Sequence, residues 1–83
     1  MSAAYDPHLE FVAVLVPGGQ FSDLLAAARE GAPIDVDRTS YGFMTIDHFA
    51  PGEDLWLLAS GTGLGPVVAI LRDPATWASY RNV

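Results

Sequence analysis

The sequence has no cysteine, no lysine, only two histidines, and no apolar run approaching the ~18 residues that a membrane-spanning helix needs. The missing cysteine excludes disulfides, thiolate metal sites and a cysteine nucleophile together, and leaves the redox compartment open. Four arginines stand against ten acidic residues, a formal net charge of −6, which argues against an electrostatic grip on nucleic acid or on an anionic membrane. His8 and His48 are too few and too scattered for a metal site. There is no secretory leader pattern, and the chain reads as cytoplasmic. What is present is globular in character: 51% of the 83 residues are hydrophobic and 17% charged. A chain of this size buries only ~60 to 65% of the surface its unfolded form exposes, so its stability is expected to be thin.

The stretch from Leu55 to Arg72 organises the rest. Leu55-Trp56-Leu57-Leu58-Ala59 is an uninterrupted apolar run, the pattern of a strand buried on both faces of a parallel sheet. Ser60 to Gly65 then carries three glycines in six positions, and Pro66 suits a first helical turn because the N–H it lacks would have no partner there. Val67 to Leu71 continue as a helix that Asp73-Pro74 stops, since the residue before proline is pushed out of the α region. Strand, glycine turn and helix together aim free backbone N–H groups and the positive end of a helix dipole at one place, an anion site suited to phosphate. Gly61, Gly63 and Gly65 read G-x-G-x-G, neither the dinucleotide fingerprint nor a P-loop. Two readings stay open on spacing alone: a phosphate cradle, or a tight turn whose glycines let the helix pack close on its strand.

Upstream, Leu9 to Val16 is apolar except at Glu10 and rich in β-branched and aromatic residues, which predicts a strand. Pro17-Gly18-Gly19 breaks it. Phe21, Leu24, Leu25 and Ala28 recur at helical spacing, predicting a helix over Phe21 to Glu30 that starts near Ser22 and stops at Gly31. Ile34 to Asp37 alternates as a half-buried strand, and Phe43 to Ile46 is a third, completing an antiparallel meander. Ala50-Pro51-Gly52-Glu53-Asp54 is the one candidate boundary, and Ala75 to Tyr80 adds a last helical turn or two. A parallel strand at Leu55 to Ala59 needs a neighbour, and an open apolar edge favours self-association.

Two motifs carry a resemblance. Leu55 to Pro66, continued by Ile70-Leu71-Arg72-Asp73-Pro74, resembles the first strand, pyridine-nucleotide loop and helix of bacterial ferredoxin-NADP(+) reductases. Val16-Pro17-Gly18-Gly19-Gln20-Phe21-Ser22-Asp23-Leu24-Leu25 is similar to that family's flavin-pyrophosphate segment, and Tyr41-Gly42-Phe43 and Asp47 fall where the family closes its flavin domain. The family's chains are considerably longer, so the resemblance is to an internal piece. It implies a mixed α/β (α+β) fold: residues 1–52 as antiparallel strands from the end of a FAD-domain barrel, and 53–83 as the first β-α unit of a parallel NADP-binding sheet.

The implied function is that of a FAD-dependent oxidoreductase segment moving hydride and electrons between NADPH and ferredoxin or flavodoxin. FAD and NADP are the implied cofactors, and the family places its chemistry on them rather than on a catalytic side chain. The helix start would offer an anion the Ser22 hydroxyl with the N–H groups of Phe21, Ser22 and Asp23. The resemblance gives Ser22 the FAD pyrophosphate and Thr62, with Gly61 and Gly63, the NADP pyrophosphate. Ser60 is the other hydroxyl of that loop, Pro66 shapes the helix start, and Tyr41 and Phe43, flanking Gly42, are the candidates for flavin contact. Each has a plainer reading: Ser22 as a helix N-cap, Thr62 as the cap of the next helix, the aromatics as core. Asp23 departs from the family, which usually has an uncharged residue there, and a carboxylate beside a diphosphate repels it. Leu24 stands where an arginine is common. Ser60 is no nucleophile, because A-S-G-T-G lacks the G-x-S-x-G elbow. The paired carboxylates Glu53-Asp54 and Asp35/Asp37 read as solvated groups. The basic surface expected to dock ferredoxin is absent. The resemblance also puts the family's Arg-x-Tyr-Ser flavin motif before residue 1 and its NADP 2'-phosphate-reading basic residues after Val83, so weak FAD binding and little or no turnover are expected of this chain alone. A non-catalytic nucleotide-binding piece and a non-functional remnant are the alternatives.

Overall fold

A computed structural model describes residues 1–3 and 5–83. Two compact units emerge, one of 30 consecutive residues from Ala13 to Gly42 and one built from Met1–Val12 with Phe43–Val83.

In the first unit the chain turns at Val16-Pro17-Gly18-Gly19. The Gly19 N–H donates to the Val16 carbonyl at 3.0 Å and Gly18 sits at φ +79°, which with proline before it is the type II arrangement that only glycine fits without strain. Helix α1, Gln20–Ala27, follows directly. Its first internal bond is Asp23 N–H to the Gly19 carbonyl, 2.9 Å. The helix begins two residues before Ser22 and ends at Ala27 rather than Glu30, because the chain is already extended at Ala28 (ψ 138°). Gly31, at φ +84°, belongs to a turn beyond it in which Ala32 N–H reaches the Arg29 carbonyl.

The second unit is built on two consecutive helices. The short 3₁₀ turn Gly61–Gly63 runs into α2, Leu64–Arg72, and α3, Pro74–Ser79, comes straight after it. Asp73 is the hinge: its carboxylate accepts from the Ala75 N–H at 2.9 Å and caps α3, while Pro74 occupies the first turn. The end of α2 is closed by side chains of α3. The Thr76 hydroxyl, fully buried, donates to the Ile70 carbonyl at 2.6 Å, and the Trp77 indole N–H to the Leu71 carbonyl at 2.8 Å. Carbonyls that a helix terminus leaves without partners are thereby satisfied. Val67, Ile70 and Tyr80 are the buried apolar residues, and the Tyr80 hydroxyl donates to the Ala50 carbonyl at 2.6 Å.

The expected sheet and barrel are not there. Among the described residues no strand forms, and the mixed α/β reading, with antiparallel barrel strands over 1–52 and a parallel sheet beginning after 53, is overturned by a helical chain whose one β contact is the parallel bridge between Asp54 and Asn82. The physical reason is pairing: a strand is stabilised by a neighbour, not by its own pattern. The apolar run Leu9 to Val16 has its ends taken by local side chains, Glu10 N–H on the Ser2 hydroxyl (3.2 Å) and Val16 N–H on the Ser22 hydroxyl (2.8 Å). In the second expected strand, Ile34 to Asp37, the alternation ends in a local turn where the Asp37 carboxylate accepts from Thr39 N–H at 2.9 Å. The third, Phe43 to Ile46, curls instead: Thr45 N–H turns back to the Phe43 carbonyl and Ile46–His48 closes a 3₁₀ turn. At Leu55 to Ala59 pairing begins and stops. Leu55 N–H donates to the Asn82 carbonyl and Arg81 N–H to the Glu53 carbonyl, both at 2.8 Å, after which Trp56 and Leu58 are left 84% and 87% exposed.

Candidate functional site

The glycine turn is the better defined of the two candidate sites. Ser60 is extended (φ −141°, ψ 150°), Gly61 turns into the left-handed region at φ +55°, and Gly63 is already helical at φ −61°, ψ −16°. That path folds part of the loop onto itself. Gly63 N–H donates to the Ser60 carbonyl at 3.0 Å, and Leu64 N–H is shared between the carbonyls of Gly61 and Thr62. The N–H groups of Gly61 and Thr62 have no carbonyl partner among the described residues. The Thr62 side chain caps neither the 3₁₀ turn nor α2, and Ser60 makes no side-chain cap either. Pro66, in the first turn of α2, removes an N–H from the set that the helix leaves open. The anion-binding capacity of the turn therefore rests on two adjacent amides and the Thr62 hydroxyl, at the positive end of a nine-residue helix.

The three glycines are not equivalent. Gly61 is required by its backbone angle, because a side chain in that region costs roughly 1–2 kcal/mol. Gly65 faces Val12, whose Cβ would lie 3.7 Å from a methyl placed on it, an ordinary packing contact. Gly63 has neither reason: its angles suit any residue, and nothing lies within 4 Å of where a Cβ would stand. The space over Gly61 and Gly63 is open, so the close-packing account of this loop does not explain them.

At the other turn Gly19 is closely packed: a Cβ there would stand 3.2 Å from the Val16 carbonyl oxygen and 3.4 Å from Ser22 Oγ, a tight fit. Ser22 is not the N-cap. That position is Gly19, and Ser22, 7% exposed, turns its hydroxyl back to accept the Val16 N–H. Of the amides assigned to an anion here, those of Phe21 and Ser22 are without a partner among the described residues, whereas Asp23 N–H is committed to Gly19. Gln20 N–H joins the open set. Sequence reading missed it because it started the helix two residues late; the signal was Gly18-Gly19, which ends the type II turn and obliges the helix to start at once. The Asp23 carboxylate lies in the first turn, where it meets the helix dipole itself.

Tyr41 and Phe43, flanking Gly42 at φ +95°, are 85% and 77% exposed. They are not core residues, and Phe43 stands edge-on to His48 with ring centres 5.6 Å apart. Among the described residues no group of acidic and histidine side chains is placed to hold a metal ion.

The chain aligns over 82 residues, 99% of its length, with a ferredoxin–NADP reductase of Pseudomonas aeruginosa at 37% identity, and over 78 residues with a flavodoxin/ferredoxin–NADP reductase of Escherichia coli at 42%. A flavodoxin/ferredoxin–NADP reductase of Rhodobacter capsulatus matches at 34% over 82 residues. In these three the chain spans 32%, 32% and 30% of the relative, about a third. No family model and no solved structure matches the chain. The resemblance carried by the two glycine turns thus extends along the entire sequence: the chain is homologous to a segment, about a third in length, of the ferredoxin–NADP reductases.

Proposed function

We propose that the chain supplies the phosphate-binding turns of a FAD-dependent reductase that exchanges electrons between NADP(H) and ferredoxin or flavodoxin, with residues 1–52 belonging to its flavin domain and 53–83 opening its NADP domain. The observation that carries this is Gly63, a glycine that neither backbone geometry nor packing demands, beside two free amides. A ligand that must touch the backbone is the remaining reason to keep that Cβ away. The names of the relatives give the ligand class.

The residues fit such a group. Gly61 and Thr62 N–H with the Thr62 hydroxyl would hold the NADP diphosphate, and Ser60, extended at the turn's entrance, lines its approach. Gln20, Phe21 and Ser22 N–H would hold the flavin diphosphate against the repulsion of Asp23, and the exposed Tyr41, beside Gly42, would be offered to the ring system; Phe43 is exposed as well. When bound, flavin and nicotinamide supply hydride exchange with each other and single-electron exchange with the carrier. The chain's own part is to bind and orient.

The test is equilibrium dialysis of the purified chain against FAD and against NADP(+), with NADPH oxidation followed in the same samples. Saturable NADP(+) binding, weak flavin retention and negligible turnover are expected, because the charged contacts to phosphate are missing from both turns. Absence of any nucleotide binding contradicts the proposal.

A further inference from the structure

The face of α2 made by Gly65, Ala69 and Arg72 repeats at i, i+4 and i+7, and so forms a single stripe. One short segment lies along it. Val12 packs at Gly65 and the Glu10 carboxylate accepts from Arg72 Nη1 at 2.8 Å, so Glu10 to Val12 runs against the direction of the helix, with its charged end at the last turn. The same Arg72 nitrogen donates to the Met1 carbonyl at 3.1 Å, the Met1 ammonium donates to the Glu10 carbonyl, and Glu10 N–H donates to the Ser2 hydroxyl. Between segment and helix is a groove of about 310 Å³ that reaches Thr62 and Pro66 at its upper end. Glycine and alanine on the stripe let the segment come close, and the one long side chain on it is the one that grips.

We propose that Glu10–Val12 is a strap latched to α2 by the Glu10–Arg72 ion pair, and that its closure limits entry of an anionic dinucleotide to the groove beside Thr62. This rests on the assignment of the glycine turn to a dinucleotide. Closed, the strap keeps a carboxylate on the wall of a groove that a diphosphate would enter. Opened, it leaves the helix face and the turn accessible.

The test compares the chain with E10Q, R72Q and the double variant. Titrated with NADP(+) and followed by tryptophan fluorescence, each single variant binds about two- to fivefold more tightly than the parent, the range an exposed ion pair can hold back. The double variant binds no more tightly than either single one, because the two remove the same latch. Unchanged or weaker binding in either single variant overturns the strap. Without nucleotide, the nuclear Overhauser contact between the Val12 methyls and the Gly65 α-protons is expected in the parent and weakened in E10Q. A contact that survives E10Q undiminished overturns the latch even where nucleotide binds. If none of the proteins binds NADP(+) while that contact behaves as stated, the dinucleotide assignment is what fails, and the gating role goes with it.

Discussion

Gly63→Ala separates the two explanations of the glycine turn by the sign of its effects. At φ −61° and ψ −16° alanine is accommodated without strain, and nothing in the protein lies within 4 Å of the added methyl. A glycine replaced at a compatible position restricts the unfolded chain, so the variant should gain about 0.4–1 kcal/mol of stability. For a chain of this length that raises the midpoint of thermal unfolding by about 2–8 °C. Nucleotide binding should move the other way. The methyl would stand in open space, next in sequence to the free Gly61 and Thr62 amides, and displacing a bound diphosphate from one such contact costs about 1.5–3 kcal/mol, the worth of a hydrogen bond to a charged group. That is a loss of roughly ten- to hundredfold in affinity. Gly61→Ala is the companion: its left-handed angle makes the same methyl destabilising by about 1–2 kcal/mol. Thermal melts with and without NADP(+) and a fluorescence titration of both variants supply the readings. A Gly63→Ala chain that is more stable and binds NADP(+) as the parent does would refute the reasoning, since the glycine would then have no ligand to accommodate.

Further outcomes follow from other parts of the chain. Asp73→Ala removes the cap of α3 and should cost about 1 kcal/mol in urea unfolding, with nucleotide binding unchanged. Ser22→Ala leaves the Val16 N–H without its acceptor and should destabilise the turn before α1 by about 1–3 kcal/mol; hydrogen exchange at Val16 and Gly19 should accelerate. Acid should weaken the fold. The Glu10 carboxyl is held below its ordinary value by the hydrogen bond from Arg72 and then by His8, and Asp47 is lowered by the Thr45 hydroxyl and its own backbone N–H. Groups with depressed folded values contribute stability that is complete above the unfolded values, 4.5 and 3.8, and is lost as pH falls through the lowered ones. Circular dichroism in E10Q should therefore show a flatter acid transition than in the parent.

How much of this was legible in the sequence depended on whether the determinant was local. All three helices were, because Leu24 and Leu25, Val67 to Leu71 and Asp73-Pro74 carry their signals within a turn or two of where they act. The strands were not. Leu9 to Val16 and Leu55 to Ala59 have strand composition, yet among the described residues the one β bridge is Asp54 with Asn82, where Glu53 and Leu55 bond to Arg81 and Asn82. Pattern states what a strand would need and says nothing of whether a neighbour is present. The positions of the two glycine turns were equally plain, but which amides stay free was hidden: it follows from the 3₁₀ path at Gly61–Gly63, which consumes the Gly63 and Leu64 N–H groups and spares the two before them. Ser22 shows the same limit, since its bond to Val16 depends on a turn three residues earlier.

The most direct measurement is an amide chemical-shift titration of the isotopically labelled chain with NADP(+). The account predicts that the Gly61 and Thr62 amides shift saturably and together, while those of Gly63 and Leu64, already bonded to carbonyls of their own loop, move little. Shifts that fail to saturate, or that fall on residues away from Ser60 to Pro66, would contradict it.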